Sequence, residues 1–362
     1  MGKKTPRSHK IQASVVGVQK PNIGRENKDL QNLRSKWVPF FSDSSNVYIN
    51  DLAKRKRRSA THGSVLKSKA VYAIGEGLAF RDQGEDVELS ELQSDYFHEI
   101  NDKGESLDEV FGKLVSDYID FGNAYFEEKS QSGRKNLWHK DATTVRIGKN
   151  GENAYLSSFW RDIGLDEQYP NRQYPITDIP LEGDNRLNHV KNYEAEFGIY
   201  GIIDHTGALI DADIEYKVST FNLDKLDNGF FPSVLAQFYG EPPEGQTPEE
   251  YIKGMVKKFT GEGNARKFLA QLLDSKEQAA DIHEFGGAQT GEFETLKKLA
   301  KESIIEAHRW HPALMMQTAG KLSNSSDIRT AYELVKNTVI PTYRKPILKA
   351  LSLSLKGTPL EG

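Results

Sequence analysis

SLDEVFGKLVSDYIDFGNAYFEEKSQSGRKNLWHKD, residues 106–141, decides the fold class. Ser106 and Glu109 stand three apart, the spacing of a capping box, and predict a helix N-terminus. Leu107, Val110, Leu114 and Tyr118, with Val115 and Ile119 beside them, form an apolar stripe at helical spacing. Gly122 stops that helix. "NAYFEE" and "NLWHKD" then read as strands around a Ser132-Gly133 turn. "TTVRIG" and "AYLSSFW" repeat the arrangement around the turn "KNG". A helix feeding an antiparallel sheet is an α+β signature, and residues 104–160 carry it.

Working outward, residues 1–45 are polar and aperiodic and predict a mobile or subunit-embracing arm. "SATHGSVLKSKAVYAIGEGLAF", from Ser59, predicts a helix ending at Gly75 or Gly77 and leading into a short strand. Residues 163–186, rich in Pro, Asn and Asp, predict loop. A long helix is expected over Gly207–Asp227, with Ile210, Ile214, Val218 and Phe221 along one face and a length of about 30 Å. Asn228-Gly229 should end it, with "FFPSVL" emerging as a strand. Thr247, Pro248 and Glu250 open a further helix in the manner of a capping box. "RKFLAQLL" and "DIHEFGG" read as short strands. Another helix is expected from about Phe293 to the turn before Pro312, with Leu296, Leu299 and Ile304 inside it. A last helix should follow, capped by Asp327 and disturbed by Pro341 and Pro346.

Composition sets outer bounds. The 362 residues include 37% hydrophobic and 28% charged side chains, a thin core for this length that suits burial against other subunits. There is no cysteine, so disulfides and thiolate metal sites are excluded and a reducing cytoplasm is expected during assembly. No run of about 18 apolar residues occurs, so no membrane association is expected. The net charge of −4 conceals an asymmetry: residues 1–70 hold 16 Lys plus Arg against 4 Asp plus Glu, a balance of +12, which leaves −16 for the rest. The run "KRKRR", Lys54–Arg58, reads either as a solvated arm or as a phosphate-binding patch. The acidic remainder opposes a body that grips nucleic acid.

The stretch "ESIIEAHRWHPALM", Glu302–Met315, is the obvious candidate for chemistry. Glu302 and Glu306 share one helix face, and His308 and His311 another. A step of about 200° separates Glu306 from His308 on a helix of 3.6 residues per turn, so the four cannot converge on one ion. The zincin pattern of two histidines four apart around a glutamate is absent. A surface-polar helix end is expected instead, with no metal, no cofactor and no catalytic residues. "GEGLAF", "GKNGENAY" and "GEGNARK" lack both the dinucleotide and the phosphate-loop fingerprints. Ser64 and Ser116 lack elbow glycines. No enzyme motif survives.

Taken in order, "VLKSKAVYAIGEGLAF", "DYIDFGNAYFEEKSQSGRKNLWHKDATTVRI", "VKNYEAEFGIYGIIDHTGAL" and "IIEAHRWHPALM…LSNSSDIRTAYELVKNTVIPTYRKPI" resemble the tailed-bacteriophage portal proteins, the head-tail connectors. Each motif alone is weak, and their shared order over roughly residues 59–355 is the specific signal. The family's double proline is here His311-Pro312. The resemblance implies an α+β portal-type ring subunit with an α/β wing, two long antiparallel stem helices, a small α/β clip insertion and a C-terminal helix. The implied division is a basic N-terminal arm (1–58), wing (59–202), stem helix (203–228), clip (229–290), second stem helix (291–311), tunnel loop (312–327) and C-terminal wing helix with a short tail (328–362).

It further implies a non-enzymatic virion protein forming a ring, typically a dodecamer, at one capsid vertex. Implied partners are double-stranded DNA in the channel without sequence specificity, the terminase large subunit, a head-tail adaptor and the major capsid protein. Lys321, Ser323, Asn324, Ser325 and Ser326 would face DNA. Phe230, Phe231, Val234 and Leu235 would form the clip interface, neighbouring clips exchanging strands because one short hairpin is marginal alone. Two alternatives stay open: a non-viral DNA-encircling ring, and a metal-dependent hydrolase using Glu302, Glu306, His308 and His311.

Overall fold

The computed structural model describes residues 35–42, 46–82, 85–131, 133–163, 174–195, 197–227, 234–239, 245–247, 249–251, 253, 268–273, 290–315 and 325–361. In chain order the helices are α1 (Tyr48–Arg58), α2 (Ala60–Ile74), α3 (Glu91–His98), α4 (Leu107–Phe121), α5 (Trp160–Ile163), α6 (Ala208–Asp227), α7 (Thr290–Ala307), α8 (Ser325–Thr338) and α9 (Ile340–Ser354). The strands are β1 (Arg81–Asp82), β2 (Glu85–Asp86), β3 (Asn123–Gln131), β4 (Arg134–Lys140), β5 (Val145–Ile147), β6 (Asn153–Leu156), β7 (Thr177–Pro180), β8 (Arg186–Lys191), β9 (Val234–Tyr239) and β10 (Phe268–Leu273). Helix and sheet are mixed, as an α+β chain requires.

The capping box forms as its spacing demands: Ser106 Oγ accepts from Glu109 N at 3.1 Å, and Glu109 Oε2 accepts from Ser106 N at 2.8 Å. Val110, Phe111, Leu114 and Val115 are fully buried, because α4 packs between α2 and β3. Gly122 ends α4 at φ +67°, where a Cβ would strike the Ile202 carbonyl. β3 runs antiparallel to β4 on one side and to β8 on the other, giving the sheet β4-β3-β8. A second antiparallel sheet, β5-β6-β7, includes Thr177–Pro180 from the stretch expected to be loop. That strand closes with Pro180, whose lack of an N–H suits an edge position.

Of the expected arm, residues 1–34 and 43–45 lie outside the described residues, and the rest is the first clear departure. Residues 35–42 and 46–58 belong to the folded body and not to a loose arm. Trp37 bridges to Gly148, Val38 N donates to Ile147 O at 2.9 Å, and Tyr200 Oη donates to Val38 O at 2.6 Å. Trp37, Val38, Phe40 and Phe41 are all buried. "KRKRR" is the last turn of α1, and most of its charge is consumed internally. Lys54 pairs with Asp51, Arg55 with Asp213 and Lys56 with Asp120, while the Arg58 guanidinium lies 5.0 Å from the Tyr216 ring centre. As the end of a helix packed on the body, it is not a solvated arm.

The long helices α6 and α7 pack antiparallel: Gly207 and Ala307 meet at one end, and the rings of Phe221 and Phe293 lie 4.5 Å apart further along. The buried face of α6 is Ala208, Ala212, Glu215 and Val218. Of the expected face Ile210, Ile214, Val218 and Phe221, Val218 is buried and Phe221 meets Phe293, while Ile214 is half-buried and Ile210 is 58% exposed. Small side chains win the contact because they let two backbones approach closely, which pushes the large apolar ones outward.

β9 and β10 pair in parallel, Val234 opposite Phe268 and Leu235 opposite Leu269. A hairpin is therefore not the unit here, since parallel strands need a crossover between them. The Thr247–Glu250 capping contacts are present at 3.1 and 3.3 Å. Pro341 falls at the start of α9 and splits the expected last helix in two, while Pro346 is tolerated inside α9. Asp327 sits within the first turn of α8 and is not its cap.

Candidate functional site

The root of the α6–α7 pair gathers the chain's most unusual side chains, and local structure explains how. α7 ends before Pro312. Trp310 N donates to Ile305 O at 3.3 Å and Arg309 N to Glu306 O at 2.8 Å, a Schellman arrangement with Arg309 in the left-handed region at φ +52°. Pro312 instead opens a short 3-10 turn, Pro312–Met315. The helix thus ends at Ala307, four residues before the His311 limit that proline would have set, and His308 is turned inward.

On the facing side, Asn123 fixes the chain that leads into α6. Its amide donates to Gly201 O and its Oδ1 accepts from Gly201 N, both at 2.8 Å. Those bonds position Asp204 and His205 just before α6. From below, Ser59 caps α2 by accepting from His62 N at 3.1 Å, which places His62 in the first turn. Glu215 on α6 reaches back and accepts from Thr61 Oγ1 at 2.7 Å and from Ser59 Oγ, locking α6 onto the start of α2.

The result is a buried cluster of three imidazoles. His62, His205 and His308 are each 1% exposed. His62 Nδ1 and His308 Nε2 lie 2.9 Å apart; the His205 and His308 rings stack at 4.5 Å. Among the described residues they form the one group of three metal-capable side chains whose donor atoms all lie within 4.8 Å of one another. His308 Nδ1 is buried with no hydrogen-bond partner.

Electrostatics keeps these rings neutral. Burial first, then His205, Lys56, Arg55 and Lys69, holds His62 down to about 3. Burial also pulls His205 and His308 below the ordinary histidine range. Asp204 is the counterweight. Burial alone would raise its pKa, but the hydrogen bond from His205 Nδ1 at 3.1 Å and the nearby charge of Lys69 hold it well below the usual carboxylate range. Tyr343 Oη donates to Asp204 Oδ2 at 2.6 Å, and Arg309 reaches the same oxygen at 3.2 Å. Lys69, fully buried, donates to Tyr343 Oη at 2.8 Å and is lowered to about 8, chiefly by burial.

His308 is therefore not the surface-polar residue expected from its sequence neighbourhood. Glu302, Glu306 and His311 are exposed, while His308 points into the body, so the hydrolase constellation is not assembled. His62 and His205 had no sequence signal: neither lies in a ligand-spaced motif, and only the fold brings 62, 205 and 308 together. Lys321, Ser323 and Asn324 lie outside the described residues, as do Phe230, Phe231 and "DIHEFGG". Ser325 and Ser326 open α8, with Ser326 exposed, and Val234 and Leu235 begin β9.

No protein-family model matches the sequence. Solved structures do share the fold. A chain in the neck of a native gene transfer agent (GTA) particle computed with C12 symmetry aligns over 92% of this chain and 86% of its own, with TM-score 0.52 and 19% identity. A chain in the neck of an empty GTA particle computed with C6 symmetry aligns over 85% and 81%, with TM-score 0.52 and 19% identity. One from the virion of a native GTA particle aligns over 87% and 81%, with TM-score 0.51 and 19% identity. At this identity the likeness establishes the architecture.

Proposed function

We propose that this chain is the subunit of a portal ring, the head-tail connector of a phage-like particle. The observation that carries the proposal is the near-full-length likeness to a chain of a C12-symmetric particle neck. Two features of the chain itself support it. Ile210, Leu223, Leu296 and Leu299 on the long helices are 44–58% exposed, a surface that a ring of copies would cover. The motif order along the sequence also follows the portal pattern.

In this reading twelve copies surround an axial channel at one capsid vertex. α6 and α7 are the stem, residues 59–202 the wing against the major capsid protein, and residues 229–290 the clip toward the terminase large subunit and later the head-tail adaptor. Residues 312–327 line the tunnel. Duplex DNA must slide there, so Ser323, Asn324, Ser325 and Ser326 offer polar contact without phosphate grips, and Lys321 is the one positive contact. Residues 328–362 return to the wing, where α9 packs on α2 and α4. The protein carries no catalytic step in this role and ends up in the virion, after assembly in the host cytoplasm.

Mass photometry and negative-stain microscopy of the purified chain test this. Closed rings with an axial hole about 20–25 Å wide are expected, and monomers and dimers alone at every salt concentration would refute it. Shortening Lys321–Ser326 should leave rings intact and impair DNA packaging or retention. Val234→Asp or Leu235→Asp should block ring closure or adaptor docking.

A further inference from the structure

We propose that His62, His205 and His308 bind one divalent transition-metal ion of the zinc class, tying the root of the two long helices to the body. The inference does not depend on the ring reading. It rests on donor chemistry, geometry and the carboxylate behind one of the rings.

The donor set is three neutral imidazoles, the ligand type suited to zinc, cobalt, nickel or copper and unsuited to calcium or magnesium. They come from three separate parts of the chain: the first turn of α2, the approach to α6 and the turn after α7. A site that joins distant segments stabilises the fold that assembles it. Zinc at about 2.0–2.1 Å from each nitrogen sets neighbouring donors roughly 3.4 Å apart in a tetrahedron. The His62 Nδ1–His308 Nε2 pair, now hydrogen-bonded at 2.9 Å, would open by about 0.5 Å, and the remaining donors, all within 4.8 Å, would close by at most about 1.4 Å.

A further observation points to a ligand. His205 donates its Nδ1–H to Asp204, which leaves Nε2 with its lone pair. A carboxylate behind a ligating histidine is the usual outer support of a zinc site, fixing the tautomer and raising ligand basicity. Asp204 also offsets the positive charge of Lys69, 3.6 Å away, which would otherwise oppose a cation. Three histidines with a fourth position for water is a catalytic donor set in open clefts. Here all three rings are 1% exposed, so no substrate reaches the ion and its role is to hold structure.

The test uses the full chain, stripped with a chelator, reloaded with Zn²⁺ or Co²⁺ and desalted. About one zinc per chain is expected by mass spectrometry, with tetrahedral Co²⁺ absorption bands in the visible. Zinc-edge X-ray absorption should give three imidazole nitrogens near 2.0 Å. His205→Gln and His308→Gln should each weaken Zn²⁺ binding at least tenfold while circular dichroism stays at wild type. Metal well below stoichiometric after desalting, an absorption edge without imidazole ligation, or unchanged affinity in both variants overturns the proposal. If a variant fails to fold, the wild-type absorption spectrum decides alone.

Discussion

Replacing His189 by Gln isolates one buried histidine that lies apart from the three-imidazole cluster. His189 sits on β8, stacks on Tyr125 with ring centres 4.5 Å apart, and shares a 2.9 Å hydrogen bond through Nε2 with Asn123 Oδ1. Burial, reinforced by Lys191, holds its pKa at about 3 against an ordinary 6.5. The folded state therefore refuses a proton that the unfolded chain accepts. A depressed pKa gives stability that is present above 6.5 and lost as pH falls toward 3. At pH 5 the unfolded chain gains about 2 kcal/mol from protonation that the folded state does not share, and at pH 7 only about 0.2 kcal/mol. His189→Gln keeps an amide able to meet Asn123 and removes the titration. Urea unfolding at fixed protein concentration, repeated at pH 5 and pH 7, should show the variant losing about 2 kcal/mol less than wild type over that range. Parallel losses in both proteins would show that His189 takes up its proton while folded and that its burial has been misjudged.

Gly122→Ala should cost about 1–3 kcal/mol, read as a lower Tm in calorimetry, because φ +67° disfavours a Cβ and the Ile202 carbonyl leaves no room for one. Glu215→Ala removes the acceptor that Ser59 and Thr61 share, leaves both hydroxyls buried and should cost about 2–4 kcal/mol by urea unfolding. Glu215→Gln, which keeps one acceptor oxygen, should recover about half of that loss. Arg309→Gly should be close to neutral in the same assay: glycine relieves the left-handed conformation, offsetting an ion pair to Asp204 whose Arg309 side is 68% exposed.

Much of the architecture was written in short-range signals. The Ser106–Glu109 box and the Gly122 stop are local chemistry and gave α4 its right limits, while the strands after it were found but drawn short, since β3 runs on to Gln131 and β4 starts at Arg134. The span of α6 was equally plain between Gly207 and Asn228-Gly229. What failed depended on partners distant in sequence. The buried face of α6 follows Ala208 and Ala212 because α7 comes close, and nothing within the helix announces that. Trp37 and Phe40 look like stray aromatics in a polar leader until β5 and Tyr200 supply the surface that buries them. β7 was hidden by Pro175 just before it and by Pro180, which serves as the strand's end. His308 was read against His311, its neighbour along the chain, whereas its companions lie at 62 and 205. Order of motifs conveyed the overall architecture correctly, since it samples the whole chain at once.

The docking of residues 35–42 and 46–58 has a consequence for the order of synthesis. Their seats are the β5-β6-β7 sheet, Tyr200 and Asp213, all made later. At 5–20 residues per second, roughly 7–30 s pass between the appearance of α1 and that of Tyr200. Asp120 follows Arg58 by 62 residues and Asp213 by 155, so Lys56 waits roughly 3–12 s and Arg55 roughly 8–31 s for its partner, and meanwhile the nascent chain offers five adjacent cations to any polyanion nearby. Translation itself then removes the offer as the acidic partners emerge. A segment whose charges are largely paired in the finished protein is, for those seconds, a run of cations with only Asp51 of its ion-pair partners yet made.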